Sequence, residues 1–138
     1  MKLDTHVVGN TGLYFTCYRL SRLGWNVMPT ARNARGIDVV AYSRDGKRYV
    51  GIQVKSLSKR TAVPLGTTVD SLMGDFWVII NRVATDPTAF IMKPNEVRRR
   101  AVREQKDGRV SFWLSPNAYE TDDFREAWDG IGRGDDAP

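Results

Sequence analysis

Two apolar, β-branched runs, Gly36-Ile37-Asp38-Val39-Val40-Ala41 and Gly51-Ile52-Gln53-Val54-Lys55-Ser56, are joined by the polar turn Ser43-Arg44-Asp45-Gly46-Lys47. Each run is interrupted by ionisable or amide side chains, the pattern of a buried strand that must carry polar groups into a site. Asp-Gly between two such runs is a strong hairpin signal, so the strands are expected side by side and antiparallel. Residues 53 and 55 leave the same face of one strand, and the adjacent strand can bring Asp38 beside them. A carboxylate, an amide oxygen and a lysine suit a hard divalent cation and a phosphodiester.

At these residues the chain resembles the PD-(D/E)XK nuclease superfamily, and within it small proteins similar to Holliday junction resolvases and restriction-type endonucleases. The resemblance covers roughly residues 9 to 56. It rests on an ordered series: an amphipathic helix, Gly24-Trp25-Asn26-Val27 entering a first strand, the polar loop Ala31-Arg32-Asn33-Ala34-Arg35-Gly36, then Gly-Ile-Asp and Gln-Val-Lys-Ser. In such proteins the second strand carries a metal-binding Asp and the third a Glu-x-Lys. Asp38 matches the Asp, Lys55 matches the Lys, and Gln53 stands where Glu is usual. Many relatives also place a Glu in the first helix; no acid occurs here between Thr5 and Asp38.

The resemblance implies an α/β fold: one restriction-endonuclease-like domain, residues 1–131, with a mixed central β-sheet flanked by helices. It further implies a metal-dependent endonuclease acting on nucleic acid, DNA more than RNA, with Mg²⁺ or Mn²⁺ as cofactor. Asp38, Gln53 and the Val54 carbonyl are the expected metal ligands. Lys55 is expected to orient or deprotonate the attacking water and to stabilise charge on the phosphate. Cutting two strands would need two sites, and hence a homodimer.

Composition bounds the alternatives. At 138 residues and 41% apolar content the chain suits one core. No apolar run is long enough to cross a bilayer, and Met1-Lys2-Leu3-Asp4-Thr5-His6 does not read as a signal peptide, so a cytoplasmic location is expected. With Cys17 the single cysteine and His6 the single histidine, an intramolecular disulfide, a cysteine zinc cage and an HExxH site are excluded. Charge is unevenly spread. Residues 120–138 hold seven acids against Arg125 and Arg133, a local −5 that leaves +10 on the rest of a +5 chain. A basic body suits a polyanionic partner, though excess charge also serves solubility.

Along the chain, Thr11 to Leu23 is expected to be a helix stopped by Gly24, and Trp25 to Met28 a strand stopped by Pro29. Arg32 and Arg35 precede Asp38, and Lys59 and Arg60 follow the Gln-Val-Lys strand; all four are candidate phosphate contacts. Residues 56–73 read as a loop with an extended piece near Ala62–Leu65, and 75–81 and 89–92 as buried strands. From Pro94 a basic helix is expected, with Val97, Ala101 and Val102 inward and Arg98, Arg99, Arg100, Arg103 and Lys106 outward. Arg99 and Arg103 are its candidate nucleic-acid contacts. A strand over 109–114, a terminal helix over 121–130 docking through Phe124 and Trp128, and a disordered acidic tail over 132–138 complete the expectation. Two rivals stand beside the enzyme: a nucleic-acid-binding or regulatory module that has lost the chemistry, and an interaction protein with a basic surface. The bland reading of Asp38 and Lys55 is a buried ion pair.

Overall fold

The computed structural model describes residues 2–31 and 36–135. Helix α1 spans Thr5–Arg22, six residues longer at its start than apolar spacing alone suggests. The reason is local: Asp4 caps it, its side chain accepting the His6 amide hydrogen at 2.7 Å. The strands are β1 (Asn26–Pro29), β2 (Val39–Tyr42), β3 (Tyr49–Ser56), β4 (Val63–Gly66), β5 (Phe76–Asn81), β6 (Thr88–Met92), β7 (Val102–Lys106) and β8 (Arg109–Leu114). Two short helices, α2 (Pro94–Arg100) and α3 (Pro116–Tyr119), and a 3₁₀ turn at Trp128–Gly130 complete the chain.

The main sheet has the order β1-β2-β3-β5-β6. Neighbours are antiparallel except β3 and β5, which run parallel, so the sheet is mixed as expected. The hairpin joining β2 to β3 pairs Tyr42 with Tyr49 and Val39 with Ile52. A smaller antiparallel sheet, β4-β8-β7, lies apart from it. Both faces of the main sheet are covered, which is why β5 reads Phe-Trp-Val-Ile-Ile without alternation. Val78 and Ile80 join Leu20, Cys17 and Ile52 in the core. Trp77 and Ile79 enter the opposite core with Phe90, Val63 and Leu114.

Gly12 sets the distance between α1 and the sheet. A Cβ there would come within 1.7 Å of Ser56 Oγ, so the helix approaches β3 through a position where only glycine fits.

Three expectations about the second half give way. The basic helix ends at Arg100, because Ala101 is extended, and Val102–Lys106 pairs with Arg109–Leu114 as a hairpin. Its turn is Asp107-Gly108, both at positive φ, the same Asp-Gly signal that was decisive earlier in the chain. Cross-strand pairing outweighs the helix propensity of the arginines. The stretch 121–130 is not a helix: Arg125 bridges to Phe90, Glu126 sits at φ 48°, and only the 3₁₀ turn is helical. Phe124 and Trp128 are both buried, but in the two different cores. The segment after 131 was expected to be disordered, yet its described part is bound to the body. Gly132 O accepts Trp25 Nε1–H at 2.9 Å, and Gly134 N–H donates to Leu23 O at 2.9 Å. Residues 136–138 lie outside the described residues.

Candidate metal and phosphodiester site

The site forms where β2 leaves β3. Strand pairing stops at Val39–Ile52, and Asp38 N–H still donates to Ile52 O at 2.8 Å. One step further the Asp38 side chain replaces the departing strand. Its Oδ2 accepts the Val54 amide hydrogen at 2.7 Å and Gln53 Nε2–H at 3.0 Å. The backbone leading into Asp38 is fixed from β1's end, with Thr30 N–H donating to Asp38 O and Thr30 Oγ1–H to Ile37 O. On its other edge the same stretch of β3 pairs with β5, Gln53 beside Trp77 and Lys55 beside Ile79. Three of the residues singled out by sequence thus converge, and the Val54 backbone joins them.

Lys55 is only partly exposed. Burial pushes its ammonium below the usual lysine range, and the nearby Asp38 carboxylate opposes that shift without cancelling it. Its Nζ lies 5.4 Å from the centroid of the buried Trp77 ring, within cation–π range. A partly desolvated lysine beside a carboxylate is suited to stabilising developing negative charge.

An open cleft of about 370 Å³ gives access to Asp38, Val54 and Lys55, whereas Gln53 reaches this site through its bond to Asp38 and does not line the cleft. Asp38, Val54 and Lys55 line it together with His6 and Asn10 of α1 and with Thr30. These last three were not anticipated. A helix begun at Asp4 would have put His6 and Asn10, four apart, on one face, so the missed cap hid them.

The donors that could hold a metal are all oxygens: the Asp38 carboxylate, the Val54 carbonyl, and the amide oxygens of Gln53 and Asn10. With its nitrogen turned to Asp38, the Gln53 amide keeps its oxygen for another partner. Among the described residues no three His, Cys, Asp or Glu side chains gather as a metal cluster. A single carboxylate with neutral oxygens fits a hard cation that retains much of its water, such as Mg²⁺, and does not fit a zinc cage.

No family model matches this chain, and no curated protein does. A solved structure is similar to it, that of the bacterial homing endonuclease I-Ssp6803I. The match covers 94% of this chain and 93% of that one, with a TM-score of 0.61 and 17% identity. The similarity to I-Ssp6803I is therefore one of fold over nearly the whole chain, well beyond the third of it that carries the sequence motif.

Among the described residues the candidate phosphate contacts are dispersed. Arg32 and Arg35 lie outside the described residues. Lys59 is exposed just beyond β3. Arg60 is held by the protein itself, its Nε 2.5 Å from Glu120 Oε2 and its Nη2 3.0 Å from Asn117 Oδ1. Arg99 is exposed near the end of α2, and Arg103 is carried by β7 instead of a helix.

Proposed function

We propose that this protein is a metal-dependent endonuclease that hydrolyses phosphodiester bonds in nucleic acid, DNA in preference to RNA, through a PD-(D/E)XK-type site in which Gln53 replaces the usual acid. The observation that carries the proposal is the convergence of the Asp38 carboxylate and a desolvated Lys55 on one open cleft. The whole-domain likeness to a homing endonuclease supports it.

Asp38, the Val54 carbonyl and the Gln53 amide oxygen would hold Mg²⁺ or Mn²⁺. When bound, the ion supplies a polarised phosphate and an activated water. The chain's own contribution is electrostatic and positional. Lys55 would face the phosphate and offset the charge that grows as a water oxygen, giving up a proton to solvent, bonds to phosphorus and the bond to the departing sugar oxygen breaks, that oxygen taking up a proton from solvent. Holding Lys55 as an ammonium for this role asks less of the site than making it a base. Double-strand cleavage would draw on two copies, which fits a homodimer.

A second reading has its own observation. Gln53 Nε2 donates to Asp38 Oδ2, so part of the carboxylate's accepting capacity is already used. That arrangement favours a weak or inactive nuclease-like module that binds nucleic acid. The experiment that separates the two incubates plasmid, linear, single-stranded and branched DNA and RNA with Mg²⁺ or Mn²⁺, comparing wild type with Lys55→Ala. Cleavage lost in the variant with binding retained supports the enzyme; binding with no cleavage under either metal supports the module.

A further inference from the structure

The β7–β8 hairpin has no evident part in the cleft, yet its construction is unusual. Every residue of β7 is exposed, so neither face of this strand is buried against the body. An ordinary edge strand hides one face. The turn at Asp107-Gly108 is tight, with φ of 52° and 75°, and β4 pairs with β8 only as far as Phe112, so from there to its tip the hairpin is two strands wide. Its base is firmly attached: Leu114 and Val97 are buried in the second core, Arg98 Nε–H donates to Val69 O, and Arg100 Nη1–H donates to Ala118 O.

Register assigns the side chains to faces. Arg103 lies opposite Phe112 and Gln105 opposite Val110, on the face that continues inward to Leu114. Arg103 and Gln105 are in mutual contact, Nη1 and Nη2 of the guanidinium each 3.4 Å from Gln105 Oε1. On the other face Glu104 lies opposite Ser111 and Lys106 directly opposite Arg109. Like charges directly across a strand pair destabilise it. Charged residues guard many edge strands against aggregation; here Glu104 on the same face and Asp107 in the turn offset part of the repulsion, and the two cations at the exposed tip remain placed to take an anionic partner.

We infer that the β7–β8 hairpin is a ribbon that enters the major groove of duplex DNA, with Arg103 and Gln105 turned to base edges and Lys106 and Arg109 gripping phosphates at its tip. This inference rests on the nucleic-acid reading of the cleft. A two-stranded ribbon fits the B-form major groove, roughly 12 Å wide, and arginine and glutamine are the side chains that pair bidentately with guanine and adenine there. The A-form RNA groove is too deep and narrow for such an element, so duplex DNA is the partner this shape selects. Local charge agrees: residues 93–113 carry seven basic and three acidic side chains.

The test uses the full chain with Lys55→Ala, to prevent cleavage, and a random-sequence duplex DNA pool, followed by binding at several salt concentrations. Arg103→Ala and Gln105→Ala should each relax enrichment at one or two base pairs and cost about tenfold to a hundredfold on the enriched sequence. The double variant Lys106→Ala/Arg109→Ala should weaken binding to all sequences alike and reduce the salt slope by about 2. The four hairpin residues are exposed, and melting curves unchanged from the Lys55→Ala parent would show that folding is intact. Hairpin variants that match their parent in affinity, salt slope and enrichment overturn the ribbon, as does a parent that binds duplex RNA as well as duplex DNA. Wild-type cleavage, measured in parallel, keeps the two ideas apart. Cleavage with silent hairpin variants leaves the nuclease standing without the ribbon, whereas hairpin-dependent binding without cleavage leaves the ribbon without the nuclease.

Discussion

The amide hydrogen of Val54 donates to Asp38 Oδ2 at 2.7 Å, so a side chain completes the strand ladder at the point where β2 turns away from β3. The bond ties the fold to the site, because the carboxylate that would hold a cation also fixes the backbone whose carbonyl would be its second ligand. Asp38→Ala removes the acceptor and leaves the Val54 amide facing the cleft. We expect a loss of stability of about 1–3 kcal/mol and faster hydrogen exchange at Val54 than at Val78 on the paired strand β5. Asp38→Asn, which keeps one carbonyl oxygen, should retain much of the Val54 protection while losing any metal response. Equal exchange at Val54 in wild type and Asp38→Ala would show that the ladder does not depend on this side chain.

Lys55 yields a prediction in pH. Burial depresses its pKa in the folded state below the unfolded value, so between those two values the unfolded chain binds more protons than the folded one. Wild-type stability therefore gains from Lys55 losing its proton as pH rises from the folded pKa toward the ordinary lysine value; below that window the cost of the buried ammonium is present in full. Lys55→Met lacks this gain. Chemical denaturation across the alkaline range should show the wild-type minus Lys55→Met difference moving in favour of wild type as pH rises. A difference that stays flat would mean the ammonium is as well solvated in the fold as out of it.

Trp77, buried in the second core, bears on the same ammonium, with Lys55 Nζ 5.4 Å from its ring centroid. Trp77→Leu should cost about 3 kcal/mol or somewhat less through lost packing and lower the Lys55 pKa further, since the ring's negative face no longer favours the charged form. Trp77→Phe keeps a ring and should restore part of both. An NMR titration of the Lys55 side chain distinguishes this from a packing defect, which would change stability without moving the titration.

The close approach at Gly12 is testable by relief. Gly12→Ala drives a methyl group into Ser56 Oγ and should destabilise by about 1–3 kcal/mol despite alanine's better helix propensity. Adding Ser56→Gly removes the obstructing side chain, the next neighbour being Ile80 Cδ1 at 3.6 Å. The double variant should recover most of the loss in a urea melt, and additive losses would refute the contact.

The legible part of this chain is the part where short-range signals and burial agree. Asp45-Gly46 between two β-branched runs fixed one hairpin, and with it the meeting of Asp38, Gln53 and Lys55, because alternation along β3 leaves no other face for residues 53 and 55. Residues 75–81 read as a buried strand, found at Phe76–Asn81, because both its faces are covered. The failures come from competition between local preference and distant partners. Arg98 to Lys106 is a good helical composition, yet the strand Arg109–Leu114 captures Val102–Lys106, and only Asp107-Gly108 hinted at it. The helical spacing of Phe124 and Trp128 is matched by two buried residues in separate cores, a pairing that helical periodicity cannot tell from a bent chain running along the edge strand β6. His6 and Asn10 were hidden behind a cap of one residue, Asp4, whose hydrogen bond to His6 extends α1 toward the cleft.

Gln53→Glu separates a metal site from a structural amide most directly. In wild type the Gln53 amide nitrogen is 3.0 Å from Asp38 Oδ2, and a glutamate there would set two carboxylates against each other. Without a divalent ion the variant should be less stable than wild type near neutral pH, and it should recover as pH falls and one of the two carboxyls takes up a proton, because like charges at that distance cannot both remain ionised cheaply. Added Mg²⁺ or Mn²⁺ supplies the missing countercharge. The melting temperature of Gln53→Glu should therefore rise with metal concentration, by more than that of wild type, following the mass-action dependence of a ligand that binds only the folded state. If the fold is a catalytic one, cleavage should rise with it. A variant that is destabilised but indifferent to both metals would assign residue 53 to holding Asp38 in place, and would remove the ion from the mechanism proposed for this cleft.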